Sequence, residues 1–97
     1  MHFEWDDVKN RENIRKHRFD FADAWEIFEA PMWVRRDKRL DYGEERWIGI
    51  GSLGNRVVAV VFTEPDENTI RIISLRKALK HERTKLEQKI TNGLGEN

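Results

Sequence analysis

Apolar residues between positions 21 and 28 recur at the spacing of one helix face. Phe21, Ala24, Trp25 and Phe28 stand at i, i+3, i+4 and i+7, with Ile27 beside them. Asp20 precedes them and can cap the first turn. The spacing predicts an amphipathic α-helix. It ends at Ala30, because a residue before proline is pushed out of the helical region. The preceding stretch, DDVKNRENIRKH, is much poorer. Asp6 or Asp7 caps a helix through Lys16 in which only Val8 and Ile14 would face inward. HFEW at 2–5 alternates and suits a short edge strand. MWVRRD at 32–37 suits another, and RLDYGEE then turns about Gly43.

The pattern changes at ERWIGIGSLGNRVVAVVFTE, where two β-rich runs flank Gly54-Asn55. That is the signature of a two-residue hairpin, expected as type I′. Leu53 then faces Arg56, Trp47 faces Phe62, and Arg46 faces Thr63. A second hairpin turns through PDEN at 65–68, which sets Phe62 against Arg71 and Ala59 against Ser74. The two-residue period sorts the side chains. One face carries Arg46, Ile48, Ile50, Val61, Thr63, Ile70, Ile72, Ser74 and Arg76. The other carries Trp47, Gly49, Gly51, Val60, Phe62, Arg71, Ile73 and Leu75. A bulge would reverse part of this assignment. The chain closes in a helix over about 76–90, with Leu79, Leu86 and Ile90 as a narrow stripe. Gly93 stops it and residues 91–97 fray. Helices segregated from an antiparallel meander make an α+β fold, with two N-terminal helices and one C-terminal helix on a small sheet.

Ninety-seven residues imply one domain. Hydrophobic content is 38% and charged content 37%. So lean a core suggests that a homodimer or a bound partner adds buried surface. The absence of cysteine excludes disulfides and Cys-ligated zinc. There is no long apolar run and no apolar leader, so the expected location is the cytoplasm. Net charge is zero but unevenly placed: −3 over 1–34, −1 over 35–67 and +4 over 68–97. A polyanion would meet the C-terminal third.

Little supports metal or nucleotide chemistry. His2, His17 and His81 are scattered, and no HExxH occurs. GIGSLG at 49–54 is better explained by the hairpin than by a phosphate loop. No nucleophile elbow surrounds Ser74. The remaining candidates are Arg46, Arg71, Arg76 and Lys77 on strands, with Lys9 and His17 on the first helix. Such a set suits phosphate chemistry. RNA supplies its own nucleophile, the 2′-OH, so an enzyme needs cations for the added charge and a group that moves protons. Trp47 could stack a base. Each residue also has an ordinary reading. Arg46 and Arg71 would pair with Glu45, Glu64 or Glu67. His17 would be a helix C-terminal charge, Lys9 a solvated residue, Ser74 a local hydrogen-bonding group and Trp47 a core residue.

Three blocks carry a family resemblance: FEWDDVKNRENIRKHRFDFADAWEIF, YGEERWIGIGSLGNRVVAVVFTE and IRIISLRKALKHER. Over about residues 3–87 the chain resembles the BrnT toxins of bacterial type II toxin–antitoxin systems. The resemblance implies a RelE-like fold and a ribonuclease that needs no metal or other cofactor and inhibits translation. It also implies a BrnA-like ribbon-helix-helix antitoxin, through which alone DNA would be bound. Arg46, Arg71 and Arg76 would hold phosphate oxygens, with His17 or Glu44 moving protons. Lys9, Trp47, Ser74, Lys77 and Arg83 would bind RNA. Pro65 stands where many relatives have arginine, and Leu75 where alanine is usual. The sorted faces conflict with this set, since Arg71 falls opposite Arg46 and Arg76. A non-catalytic antitoxin-binding module and a single-strand nucleic-acid binder are the alternatives.

Overall fold

Five strands form one sheet in the order β1-β5-β4-β3-β2. The computed structural model describes residues 1–95. In chain order these form β1 (His2–Glu4), α1 (Asp7–His17), a 3₁₀ helix (Phe21–Glu29), β2 (Trp33–Arg36), β3 (Trp47–Leu53), β4 (Arg56–Asp66), β5 (Thr69–Lys77) and α2 (Lys80–Gly95). The α+β reading holds, but the sheet is mixed rather than an antiparallel meander. The edge strand β1 runs parallel to β5, with Phe3 opposite Ile70 and Glu4 opposite Arg71.

The second N-terminal helix is not an α-helix. Over Phe21–Glu29 the buried residues are Phe21, Ala24 and Ile27, which is a period of three. Three residues per turn is the 3₁₀ geometry. It leaves Trp25, counted in the predicted stripe, half exposed. Asp20 caps this helix through its side chain, and the extended backbone of Ala30 ends it before Pro31. Its Ile27 sits against β3. A Cβ added at Gly51 would lie 2.7 Å from Ile27 Cγ2, so glycine there permits the close approach.

The first hairpin has the expected register, from Trp47 opposite Phe62 to Leu53 opposite Arg56. Its turn is the II′ kind rather than I′, since Gly54 takes positive φ (62°) and Asn55 does not. The second hairpin differs. Asp66 pairs with Thr69, so the loop is Glu67-Asn68 and not all of PDEN. Asp66 accepts from Asn68 N at 2.9 Å and from the Thr69 hydroxyl at 3.1 Å, which tightens the turn. Two register shifts follow. Glu64 and Pro65 fall in one, where the missing proline N–H breaks no regular ladder. The other sits at Ile73: Val61 pairs with Ser74 while Phe62 pairs with Ile72.

That bulge reverses the faces beyond it. Ile70 and Ile72 join Val58, Val60, Phe62 and Leu75 in a core with Phe19, Phe21, Ala24 and Ile27. Ile73 instead packs on the opposite core of Ile48, Ile50, Ala59, Val61, Ala78 and Leu86, under α2. Arg71, paired with Thr63, therefore shares the face of Arg46, Ser74 and Arg76.

Strand β5 continues through Lys77, and α2 begins only at Lys80, so Arg76 and Lys77 belong to the strand. Gly93 lies inside α2, which runs through 95. Of the predicted frayed tail, 96–97 lie outside the described residues.

α1 meets the sheet in an unexpected way. Val8 is exposed and Ile14 only half-buried, so neither carries the packing. The buried residue is Asn13. Its Nδ2 donates to Leu75 O at 2.8 Å and to Phe19 O at 3.0 Å, and its Oδ1 accepts from Leu75 N at 3.1 Å. β1 reaches only Thr69–Arg71, so the amide takes the place of a neighbouring strand for Leu75. We predict that Asn13→Ala, which leaves three buried backbone groups unpaired, lowers unfolding free energy by about 3 kcal/mol. Urea denaturation measures it, and a loss below about 1 kcal/mol would rule out this clasp.

Candidate nucleic-acid interface

Because Asn13 grips Leu75, the helix turns on either side of it stand over the outer part of β5. Lys9, Lys16 and His17 of α1 and Ile73 and Ser74 of β5 line a cleft of about 340 Å³, in which Glu12 is the one acid. A second cleft, of about 560 Å³, lies past the end of α1. His17, Arg18, Phe19, Arg56, Lys77 and Arg83 line it, with no carboxylate among them. His17 lines both, so the two clefts adjoin at the C-terminal end of α1, and together they are called the groove.

Each cation has a local reason for its place. His17 is the last residue of α1, at the C-terminus of the helix. Lys77 ends β5 opposite Val58. Arg83 lies in the first turns of α2 and donates from Nη1 to Ala78 O at 3.1 Å, which holds it at the junction. Arg56 opens β4 after the hairpin turn, with its guanidinium 5.7 Å from the centre of the Phe19 ring.

Of the residues singled out by sequence, Lys9, His17 and Ser74 line the first cleft and His17, Lys77 and Arg83 the second. The three arginines assigned to phosphate do not. Arg76 gives Nη1 and Nη2 to the two oxygens of Glu82, at 2.8 and 3.0 Å. Glu82 is only 1% exposed and also accepts from Leu79 N, at 2.8 Å. The Arg76 hydrogen bonds lower its pKa most, against the effect of burial, with the Leu79 bond adding to them. Arg76 is thus paired with a buried carboxylate. Arg71 donates from Nε to Glu4 at 2.8 Å, joining β5 to β1. Its partner is none of the three acids expected, Glu45, Glu64 and Glu67.

Arg46 is held at the far end of the sheet. Its guanidinium lies 3.9 Å over the Tyr42 ring, and its Nε is 3.8 Å from Glu44. Thr63, its expected cross-strand partner, is four residues along β4 from Ala59, the partner of Arg76. At about 3.3 Å per residue this sets Arg46 roughly 13 Å away along the strand. Glu44 is at the same end. Trp47 packs against the first core as a half-buried residue, which is the ordinary reading. Tyr42 is itself tied to Asp37, which accepts from Tyr42 at 3.3 Å and twice from the Arg39 guanidinium at 2.8 Å.

Lys16, Arg18 and Arg56 also line the clefts and were not singled out by sequence. Lys16 and Arg18 flank His17 and were readable as basic neighbours. Nothing in sequence brings Arg56 to them, because that contact depends on Phe19. Among the described residues no group of three His, Cys, Asp or Glu is placed to hold a metal ion.

Comparison with known proteins gives one family. The family model described as ribonuclease toxin, BrnT, of type II toxin–antitoxin system matches residues 5–82. Among solved structures the chain is similar to the 1.1 Å crystal structure of the Brucella abortus ribonuclease toxin BrnT. Identity is 33% and the TM-score 0.69, over 82% of this chain and 99% of that one. No curated protein matches.

The Arg46 end should respond to acid through Asp37. Hydrogen bonding from Arg39 lowers its pKa from 3.8 to about 2, against the opposing effect of burial. A depressed acid contributes stability above its unfolded pKa and loses it as pH falls through the folded one. We predict that Asp37→Asn melts lower than the parent at pH 7, and that the gap narrows from pH 4 to pH 2. Parallel melting curves across that window would contradict the assignment.

Proposed function

This chain belongs to the BrnT family of ribonuclease toxins of type II toxin–antitoxin systems, and from that premise we propose that it cleaves single-stranded RNA in the groove between α1 and β5, without a metal ion. The supporting observation is a single imidazole, His17, where two clefts meet among cations.

The chemistry follows from the residue types. His17 takes the proton of the ribose 2′-OH. The 2′-oxygen then bonds to phosphorus, the bond from phosphorus to the 5′-oxygen breaks, and that oxygen takes a proton from water. The products are a 2′,3′-cyclic phosphate and a 5′-hydroxyl. Charge on the phosphoryl oxygens grows as the bond forms, and Lys77 and Arg83 meet it in a cleft lined by no carboxylate. Lys9 and Ser74 hold the strand in the adjoining cleft. Arg46, Arg71, Arg76, Glu44 and Trp47 are assigned to the fold. Loss of messenger RNA would inhibit translation in the cytoplasm. A protein antitoxin of the BrnA kind, possessing its own DNA-binding part, would neutralise the toxin.

The test is cleavage of total RNA by the purified chain, freed of any partner, in EDTA. The parent cleaves. His17→Ala loses about 10²-fold or more in rate, and Arg83→Ala falls by a similar factor. Arg46→Ala stays near the parent rate. Cleavage abolished by EDTA would remove the metal-free mechanism. An active His17→Ala variant would remove His17 from it. No cleavage by the folded parent would favour the binding-module alternative.

A further inference from the structure

Arg18 stands at a position that backbone geometry reserves for glycine. Its φ of 65° and ψ of 25° are left-handed, and it is the one non-glycine residue with positive φ among those described. There it closes α1, donating N–H to Ile14 O at 2.9 Å. Glycine makes the same bond without the clash between Cβ and the neighbouring carbonyl. Nothing in the helix stop therefore calls for a side chain.

A second cost falls at the same place. Arg18 is exposed and shares its cleft with His17, Arg56, Lys77 and Arg83, and no acid lines that cleft. Neither Arg18 nor Arg56 makes an ion pair among the described residues. The left-handed turn also leads into Phe19, the residue that meets Arg56. It sends Phe19 into the core, where Asn13 holds its carbonyl, and the Phe19 ring carries the Arg56 guanidinium. Steric strain at Arg18 thus coincides with like-charge crowding of Arg18 and Arg56 in one cleft. A bound polyanion neutralises the crowded charge, and that gain is a reason for an arginine rather than glycine at the strained position.

We propose that Arg18 and Arg56 form a phosphate subsite for a single RNA strand, holding a phosphate other than the one cleaved at His17. This deepens the RNA-cleaving reading and rests on it for the identity of the ligand. The subsite binds backbone and not base, so its contribution is electrostatic and independent of sequence.

The experiment separates binding from cleavage. A fluorescein-labelled 2′-O-methyl RNA 12-mer cannot be cut, and its affinity is read by fluorescence anisotropy from 50 to 200 mM salt. For single strands each cation that neutralises a phosphate adds about 0.7 to the slope of log affinity against log salt. Arg18→Gly is expected to weaken binding severalfold, reduce the slope by about 0.7 and raise the melting temperature. Arg18→Lys keeps the slope. Arg56→Gln reduces it by a similar amount, and Arg36→Gln, outside the groove, leaves it unchanged. An Arg18→Gly variant that binds like the parent overturns the subsite even if the parent cleaves RNA. Slopes that fall as stated in a parent that cuts no RNA uphold the subsite and sink the nuclease. A folded parent that does not bind the 12-mer overturns the subsite.

Discussion

The groove depends on one buried amide. Asn13 makes three hydrogen bonds, two to the backbone of Leu75 and one to that of Phe19. They join the end of α1, the entrance to the 3₁₀ helix and the outer edge of β5. Without them, α1 has almost no apolar surface with which to dock. Asn10 supports the same junction, donating to Asp20 at 2.9 Å and accepting from Phe21 N at 2.9 Å. Polar side chains substitute here for a hydrophobic stripe. They do so because the helix lies against a strand edge, whose unpaired N–H and C=O require partners.

The bulge at Ile73 is a second constraint. One extra residue brings Ile72 and Leu75, three positions apart, to the same core under the 3₁₀ helix, while Ile73 packs under α2. The same residue turns Arg71 to the face of Arg46 and Arg76, which removes the conflict expected from strict alternation. Sharing a face does not make the three arginines one site. Arg71 is tied to Glu4 and Arg76 to Glu82, while Arg46 lies over Tyr42. Their charges hold β1, α2 and the 37–46 segment in place.

Zero net charge hides this division of labour. Cations with close carboxylate partners organise the sheet and its helices. Others, from four separate stretches of chain, gather where carboxylates are scarce: Lys9 to Arg18, Arg56, Lys77 and Arg83. A neutral protein can therefore present a locally positive groove to a polyanion. Arg18 accepts a left-handed backbone at the end of that groove.

Local pattern in the sequence was enough to locate most elements. Alternation and the Gly54-Asn55 turn specified the first hairpin and its register. Asp20 and Pro31 bounded the helical stretch between them, and the three motif blocks carried the family. Lys9, His17, Ser74, Lys77 and Arg83, which line the two clefts, were also identifiable by residue type. What tertiary structure alone decided was geometry with no local signature. The parallel pairing of β1 joins residues nearly seventy positions apart. The period-three face of the 3₁₀ helix reflects packing on Gly51 and the core, since Phe21, Ala24 and Ile27 also fit a loose α-helical reading. The bulge at Ile73 leaves no mark in a run of isoleucines. Whether an arginine is free or paired depends on which acid the folded chain brings within about 3 Å, and charge spacing along a sequence carries no such distance.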